Sequence, residues 1–246
     1  MRKRISITLK EELIKRVDAL SGAGKGDANR SRTIETLLEK YLISEAFPAV
    51  ILIGDEKPLE DAGGRPIITN IIAFLRKKGV TKATICTLTE LAIRLKEALS
   101  GVSGIEIKYV EQKERSGTAA ALKKLKGKID GDFLLIYGDN FFEFDLGEFI
   151  DFHANTNSLG TAALTTVDKP TRFGVVGLSG RKVTSFNEKP KEAESHLISV
   201  GIFAFTQEIF SKIPESAKSL ERDVFPELTR EGLLSGCVLP GKWTYK

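Results

Sequence analysis

Phe133-Leu-Leu-Ile-Tyr-Gly-Asp-Asn140 is a five-residue apolar run closed by a glycine, a carboxylate and a carboxamide. It lacks the apolar/polar alternation of a half-exposed strand, so it reads as a strand hidden on both faces. Ala49-Val-Ile-Leu-Ile53 has the same character. Around these two, Lys82 to Thr87 and Ile105 to Val110 read as further strands. Ile67 to Lys78, Leu91 to Leu99 and Ala119 to Leu125 carry apolar residues at helical spacing. The alternation predicts an α/β domain with a mostly parallel sheet and helices on both faces. Ligands of such sheets sit outside the carboxyl ends of the strands. Asp139 falls at that edge, where it either holds a divalent cation or caps a turn.

With 246 residues and 41% hydrophobic content, the chain can bury a substantial core in one large domain or in a small and a medium one. No apolar run approaches the ~20 residues of a membrane helix, and the charged start lacks the apolar stretch of a signal peptide. A cytoplasmic protein without membrane contact is expected. Cys86 and Cys237 are read as ordinary buried thiols. The net charge of +4 is placed unevenly: residues 1–42 hold ten Lys or Arg against six Asp or Glu, and the remainder is neutral. Such asymmetry points to a nucleic-acid or acidic partner for the first segment, or to a solvated charged arm.

That first segment begins Met1-Arg-Lys-Arg-Ile-Ser-Ile-Thr8. Ile5, Ile7 and Leu9 alternate with Arg4, Ser6 and Thr8, as in a strand with one apolar and one polar face. Glu11 to Leu20 has helical spacing, and the glycine-rich run Ser21 to Asn29 reads as a loop. Ile34 to Leu42 reads as a second helix with Ser31 as its N-cap. So small a unit cannot bury its own apolar face, and a lone strand needs a second copy to pair with. A two-fold ribbon of this kind enters the major groove of double-stranded DNA. Arg4, Ser6 and Thr8 would then face base edges, Arg2 and Lys3 would meet phosphates, and Asn29, Arg30, Ser31 and Arg32 would meet a phosphate at the helix start.

Lys3 to Leu9, Asn29 to Thr33 and Ile34 to Leu42 resemble the ribbon-helix-helix DNA-binding family. The remainder carries, in one order, Gly64-Arg-Pro-Ile-Ile-Thr-Asn-Ile-Ile72, Gln112 to Ala121, Tyr137 to Asn140, Arg172-Phe-Gly-Val-Val176, Phe186-Asn-Glu-Lys-Pro190 and Ser199-Val-Gly-Ile-Phe203. That order resembles the sugar-phosphate nucleotidyltransferases of the glucose-1-phosphate thymidylyltransferase family. The division implied is a ribbon-helix-helix domain at 1–43, a linker at 44–48, and a Rossmann-like nucleotidyltransferase α/β domain at 49–246.

The resemblance implies site residues by position. Gln112 and Gly117 would lie near a nucleotide base. Asp139 would bind Mg²⁺ accompanying a nucleotide. Glu188 and Lys189 would hold a sugar phosphate, with Gly174 and Gly201 allowing close backbone approach. Lys57 matches the lysine after the family's phosphate loop. Two departures stand out. Gly54-Asp-Glu-Lys57 replaces the glycine-rich, arginine-bearing loop, placing Asp55 and Glu56 where a triphosphate would sit. The segment starting Gly241-Lys-Trp243 stops at Lys246, before the family's second metal-binding aspartate. Since phosphoryl transfer depends on positioning and charge stabilisation, these losses point away from catalysis. The expectation is a DNA-binding transcriptional regulator, a homodimer or a tetramer. Its nucleotidyltransferase-like pseudoenzyme domain senses a sugar-phosphate or nucleotide-sugar effector or serves as an oligomerisation body. The alternative is an active nucleotidyltransferase with an N-terminal dimerisation arm.

Overall fold

The computed structural model describes residues 6–21, 30–38 and 47–245, without the side chains of Phe142 and 242–245. The chain divides into two compact units, Met1–Leu42 and Ile43–Lys246.

In the first unit, α1 spans Glu11–Leu20, as its spacing predicts. Residues 30–38 lie in a second helix, α2. Three expectations change here. Residues 6–10 carry no regular secondary structure, so the strand holding Ser6 and Thr8 is not formed within one chain. Ser31 lies inside α2 rather than at its N-cap, because the helix already includes Arg30. The Arg30 guanidinium is engaged by both carboxylate oxygens of Asp18 and is thereby charge-neutralised. Ser31 and Arg32 are exposed on α2. Arg2, Lys3, Arg4 and Asn29 lie outside the described residues, as does most of the expected linker.

The second unit is built on β1 (Ala49–Ile53), β2 (Lys82–Leu88), β3 (Glu106–Gln112) and β4 (Phe133–Tyr137). These pair in parallel in the order β3-β2-β1-β4. Both faces of β1 are buried, which is why its sequence shows no alternation. Ala49, Ile51 and Ile53 join one apolar cluster with α3 (Ile67–Lys77), α4 (Thr89–Ala98) and α6 (Leu146–Ala154). Val50 and Leu52 join the other, with α5 (Thr118–Lys123), α7 (Ile209–Lys212) and α8 (Phe225–Arg230). α3 starts directly after Pro66. It stops at Gly79, whose φ of 88° lets Val80 N–H turn back to the Leu75 carbonyl at 3.0 Å.

The expected mostly parallel sheet is corrected to a mixed one. β9 (Leu197–Phe205) lies antiparallel between β4 and β6 (Gly160–Thr166). Beyond β6 and β10 (Leu234–Val238) comes an antiparallel hairpin of β7 (Gly174–Ser179) and β8 (Lys182–Glu188), turned at Gly180. Apolar periodicity reports burial and not strand direction, so the reversal left no trace in the pattern. β5 (Asn140–Glu143) pairs antiparallel with β11 (Lys242–Tyr245), bringing Tyr245 opposite Asn140.

His153 on α6 is 2% exposed and meets Phe47 edge-on. Nδ1 is 2.8 Å from Thr161 Oγ1, and burial lowers its pKa from 6.5 to about 4. The unfolded chain therefore takes up a proton below pH 6.5 that the folded chain refuses. The stability His153 permits is complete above pH 6.5 and is lost as pH falls towards 4. Urea unfolding at pH 7 and pH 5 should show the wild type losing about 2 kcal/mol more than His153→Gln over that interval. Equal losses would mean that His153 does not govern the acid limb.

Candidate functional site

The carboxyl ends of β1 to β4 open onto a cavity of about 270 Å³. Its floor is apolar, from Leu52, Leu88 and Ala121, and its rim carries Asp55, Gln112, Arg115 and Asp139. A second cavity of about 100 Å³ adjoins it, lined by Glu188, Lys189, Ser199, Gly201, Arg172 and Glu221. Tyr137 and Asp139 belong to both. The two cavities are therefore halves of one cleft, hinged on the end of β4.

Gln112 and Gly117, placed together by the family resemblance, both line the larger cavity. Gly117 has φ 83°, and a Cβ there would stand 2.2 Å from the Lys218 carbonyl oxygen. Ala119 N–H donates to that same oxygen at 3.0 Å. Only glycine permits this approach, so the turn from β3 into α5 is pinned to residues 218–219.

Gly174, Glu188, Lys189 and Gly201 come together in the smaller cavity. A Cβ on Gly174 would collide with the Phe186 ring at 2.7 Å. On Gly201, with φ 73°, it would press on Asn140 Nδ2 at 3.0 Å. Lys189 is the non-glycine residue with positive φ, 48°, among those described. Such strain is held where the surroundings over-determine it, commonly at ligand sites. Burial, and then the neighbouring Glu221 charge, raises the Glu188 carboxyl above its ordinary value, while Lys189, with Nζ 3.8 Å away, opposes the rise.

Glu221 is the residue the sequence did not announce. Its carboxylate accepts from the Tyr137 hydroxyl, from Thr118 Oγ1 at 3.0 Å and from Ser219 Oγ at 2.6 Å. Burial and this carboxylate push the Tyr137 phenol well above its ordinary value, so Tyr137 stays a neutral donor. Glu221 sits in a π-helical turn, Leu220–Val224, and Thr118 lies 103 residues earlier. No local spacing could have joined them. Arg115 and Ser116 stood within a quoted string, but nothing set them apart. Asn140 Nδ2 donates to Asp139 Oδ1 at 3.1 Å, while its buried Oδ1 meets no donor among the described residues.

Two expectations about charge change. Glu56 does not line the cavity and pairs with Arg94 at 2.7 Å. Asp55 does line it, but its Oδ1 accepts from Lys57 N–H at 3.1 Å and so shapes the turn after β1. Lys57 lies in that 3-10 turn and not among the residues facing either cavity. No group of three or more His, Cys, Asp or Glu converges among the described residues. Asp139 and Asp55 are the carboxylates that line the larger cavity. That donor set suits Mg²⁺, which is often held by one or two carboxylates with phosphate and water oxygens completing the shell. No helix of the described residues is long and apolar enough to cross a membrane.

Comparison with known proteins gives the cleft its context. The nucleotidyl transferase family model matches residues 54–244. A probable mannose-1-phosphate guanylyltransferase 1 of Oryza sativa subsp. japonica is 31% identical over 195 residues, 76% of this chain and 54% of that protein. The mannose-1-phosphate guanyltransferase of Saccharomyces cerevisiae is 29% identical over the same shares. The chain thus spans about half the length of the curated relatives it matches. A putative glucose-1-phosphate thymidylyltransferase from Bacillus anthracis, crystallised with a sucrose, superposes with a TM-score of 0.72 at 26% identity, covering 81% of this chain and 89% of that one.

These likenesses overturn the expectation of a DNA-binding transcriptional regulator built on a pseudoenzyme, because the relatives are named as transferases. The physical grounds for that expectation were thin. An excess of four charges is small, and Arg30 pairs with Asp18.

Gly117→Ala should cost about 2 kcal/mol or more, since both the positive φ and the Lys218 oxygen oppose a Cβ. Chemical denaturation measures this, and a change within about 0.5 kcal/mol would show that the turn is free to move.

Proposed function

Since the chain belongs to the nucleotidyl transferase family, we propose that it transfers a nucleotidyl group from a nucleoside triphosphate to a sugar 1-phosphate. The observation that carries this is the two-part cleft, whose larger apolar cavity and smaller polar one share Tyr137 and Asp139. The larger part takes the nucleotide. Its apolar floor suits a base, with Gly117 on its wall. Arg115, on the rim, supplies positive charge towards the phosphates.

The smaller part takes the sugar phosphate. Sugar hydroxyls donate to Glu188, which restores the solvation that burial removes from its carboxylate. Lys189 and Arg172 face the phosphate. A sugar-phosphate oxygen then attacks the α-phosphorus at the shared wall, the bond to the β-phosphate oxygen breaks, and pyrophosphate leaves. Magnesium held at Asp139 with the phosphate oxygens would neutralise the charge that develops there. The chain's own part is to align the two substrates and to set positive charge against their phosphates, and positioning with charge stabilisation accounts for most of the catalysis of such transfers.

Pyrophosphate release from a panel of nucleoside triphosphates and hexose 1-phosphates should depend on magnesium and on both substrates. Glu188→Gln should raise the KM for the sugar phosphate about tenfold and leave that for the nucleotide unchanged. No release with any pair would sink the reading.

The N-terminal arm, residues 1–43, joins two copies. Ile7, Leu13, Leu20, Leu37 and Leu38 are all exposed, whereas Val17 is the buried apolar side chain among those described in this unit. So small a unit cannot complete its own core. Sedimentation should give a dimer for the wild type and a monomer for Leu13→Glu/Leu37→Glu. A dimer in both would place the contact elsewhere.

A further inference from the structure

Gln112 ends β3 on the wall of the larger cavity and is only 8% exposed. Its Oε1 accepts from Lys124 Nζ at 2.7 Å and from Ser116 Oγ at 2.5 Å. Its Nε2 donates to Cys86 Sγ at 3.0 Å. The three partners differ in what they allow. A serine hydroxyl donates or accepts, and a thiol does both weakly, so each tolerates either orientation of a carboxamide. An ammonium only donates. Turning the Gln112 amide by half a rotation would set its NH2 group against the Lys124 ammonium, donor against donor. Lys124 therefore decides which end of the amide is which. With Oε1 held by Lys124 and Ser116, the hydrogen-bonding capacity left over lies on nitrogen. That NH2 carries two hydrogens, and Cys86 takes one.

We infer that Lys124 is a positioning residue that locks Gln112 as a hydrogen-bond donor in the nucleotide cavity. The lock selects nucleobases with a carbonyl oxygen at purine C6 or pyrimidine C4, the position that would meet Gln112, namely guanine, uracil and thymine. Adenine and cytosine present an exocyclic amino group there, leaving two donors opposed and both unpaired, a mismatch a buried site tolerates poorly. Lys124 is exposed at the C-cap of α5 and does not line the cavity, so it acts through the amide without touching the ligand. The inference rests on the larger cavity being the nucleotide site.

Calorimetric titration of the full chain with GTP, UTP, dTTP, ATP and CTP tests it, for the wild type and for Lys124→Met, Lys124→Glu and Lys124→Arg. The wild type should bind at least one of GTP, UTP and dTTP about tenfold or more tightly than ATP and CTP. Lys124→Met should narrow that ratio to about threefold, because Ser116 and Cys86 then accept either amide orientation. Lys124→Glu, which only accepts, should turn the amide and reverse the preference. Lys124→Arg should preserve it. Affinity for a hexose 1-phosphate should stay constant throughout, a pattern that general loosening of the fold would not produce. Ratios unchanged in the Met and Glu variants, or a wild type that prefers ATP or CTP, would overturn the inference and leave the nucleotide site standing. Binding of no nucleotide at all would overturn both.

Discussion

Everything in the larger unit follows from a sheet whose central strands have no free face. β1 and β4 are covered by helices on both sides, so a polar side chain within them would be buried without water. Polar chemistry is thereby pushed to the strand ends. At the carboxyl edge Gly54, Gln112, Tyr137 and Asp139 arrive from three parallel strands within one cleft. The same constraint explains the carboxylate of Glu221. In that enclosed setting it is held by three hydroxyl donors, from Tyr137, Thr118 and Ser219, which replace the hydration it gives up.

The parallel half of the fold was readable because double-sided burial writes continuous apolar runs. Ala49–Ile53 and Phe133–Tyr137 are found with the bounds their sequences predict. α3 was readable from its apolar spacing over Ile67 to Lys78, and it spans Ile67–Lys77. Strand direction was not readable. β9 is a nine-residue, almost wholly buried strand, and its residues would look the same whichever way it ran. The mixed sheet is a tertiary fact.

The site was readable in pieces. Gly117, Gly174 and Gly201 stand where a Cβ would meet backbone or ring atoms, and glycines within ordered strings are the natural mark of such places. Lys57 lies in a 3-10 turn and lines neither cavity, and similarity of position says nothing about which way a turn presents its side chains. Asp55 and Glu56 were read as bare charges. Asp55 has a backbone partner two residues on, and Glu56 an arginine 38 positions away, a pairing that a string of letters does not show. Glu221 was missed altogether, since its role is defined by residues about a hundred positions away.

That separation bears on how the protein is made. The turn at Gly117 is seated on the carbonyl of Lys218, and Thr118 is tied both to Glu221 and to the Leu220 amide. A nascent chain that has emerged only as far as β4 holds the cavity floor and Gln112 but lacks the seat for the turn. β9 must also enter between β4 and β6 before the sheet is continuous. The cleft therefore closes late in synthesis, through contacts of long sequence separation that form slowly and expose apolar strand surface while they wait. The first four strands can assemble as they leave the ribosome, while the site they frame becomes competent only once the last third of the chain has followed.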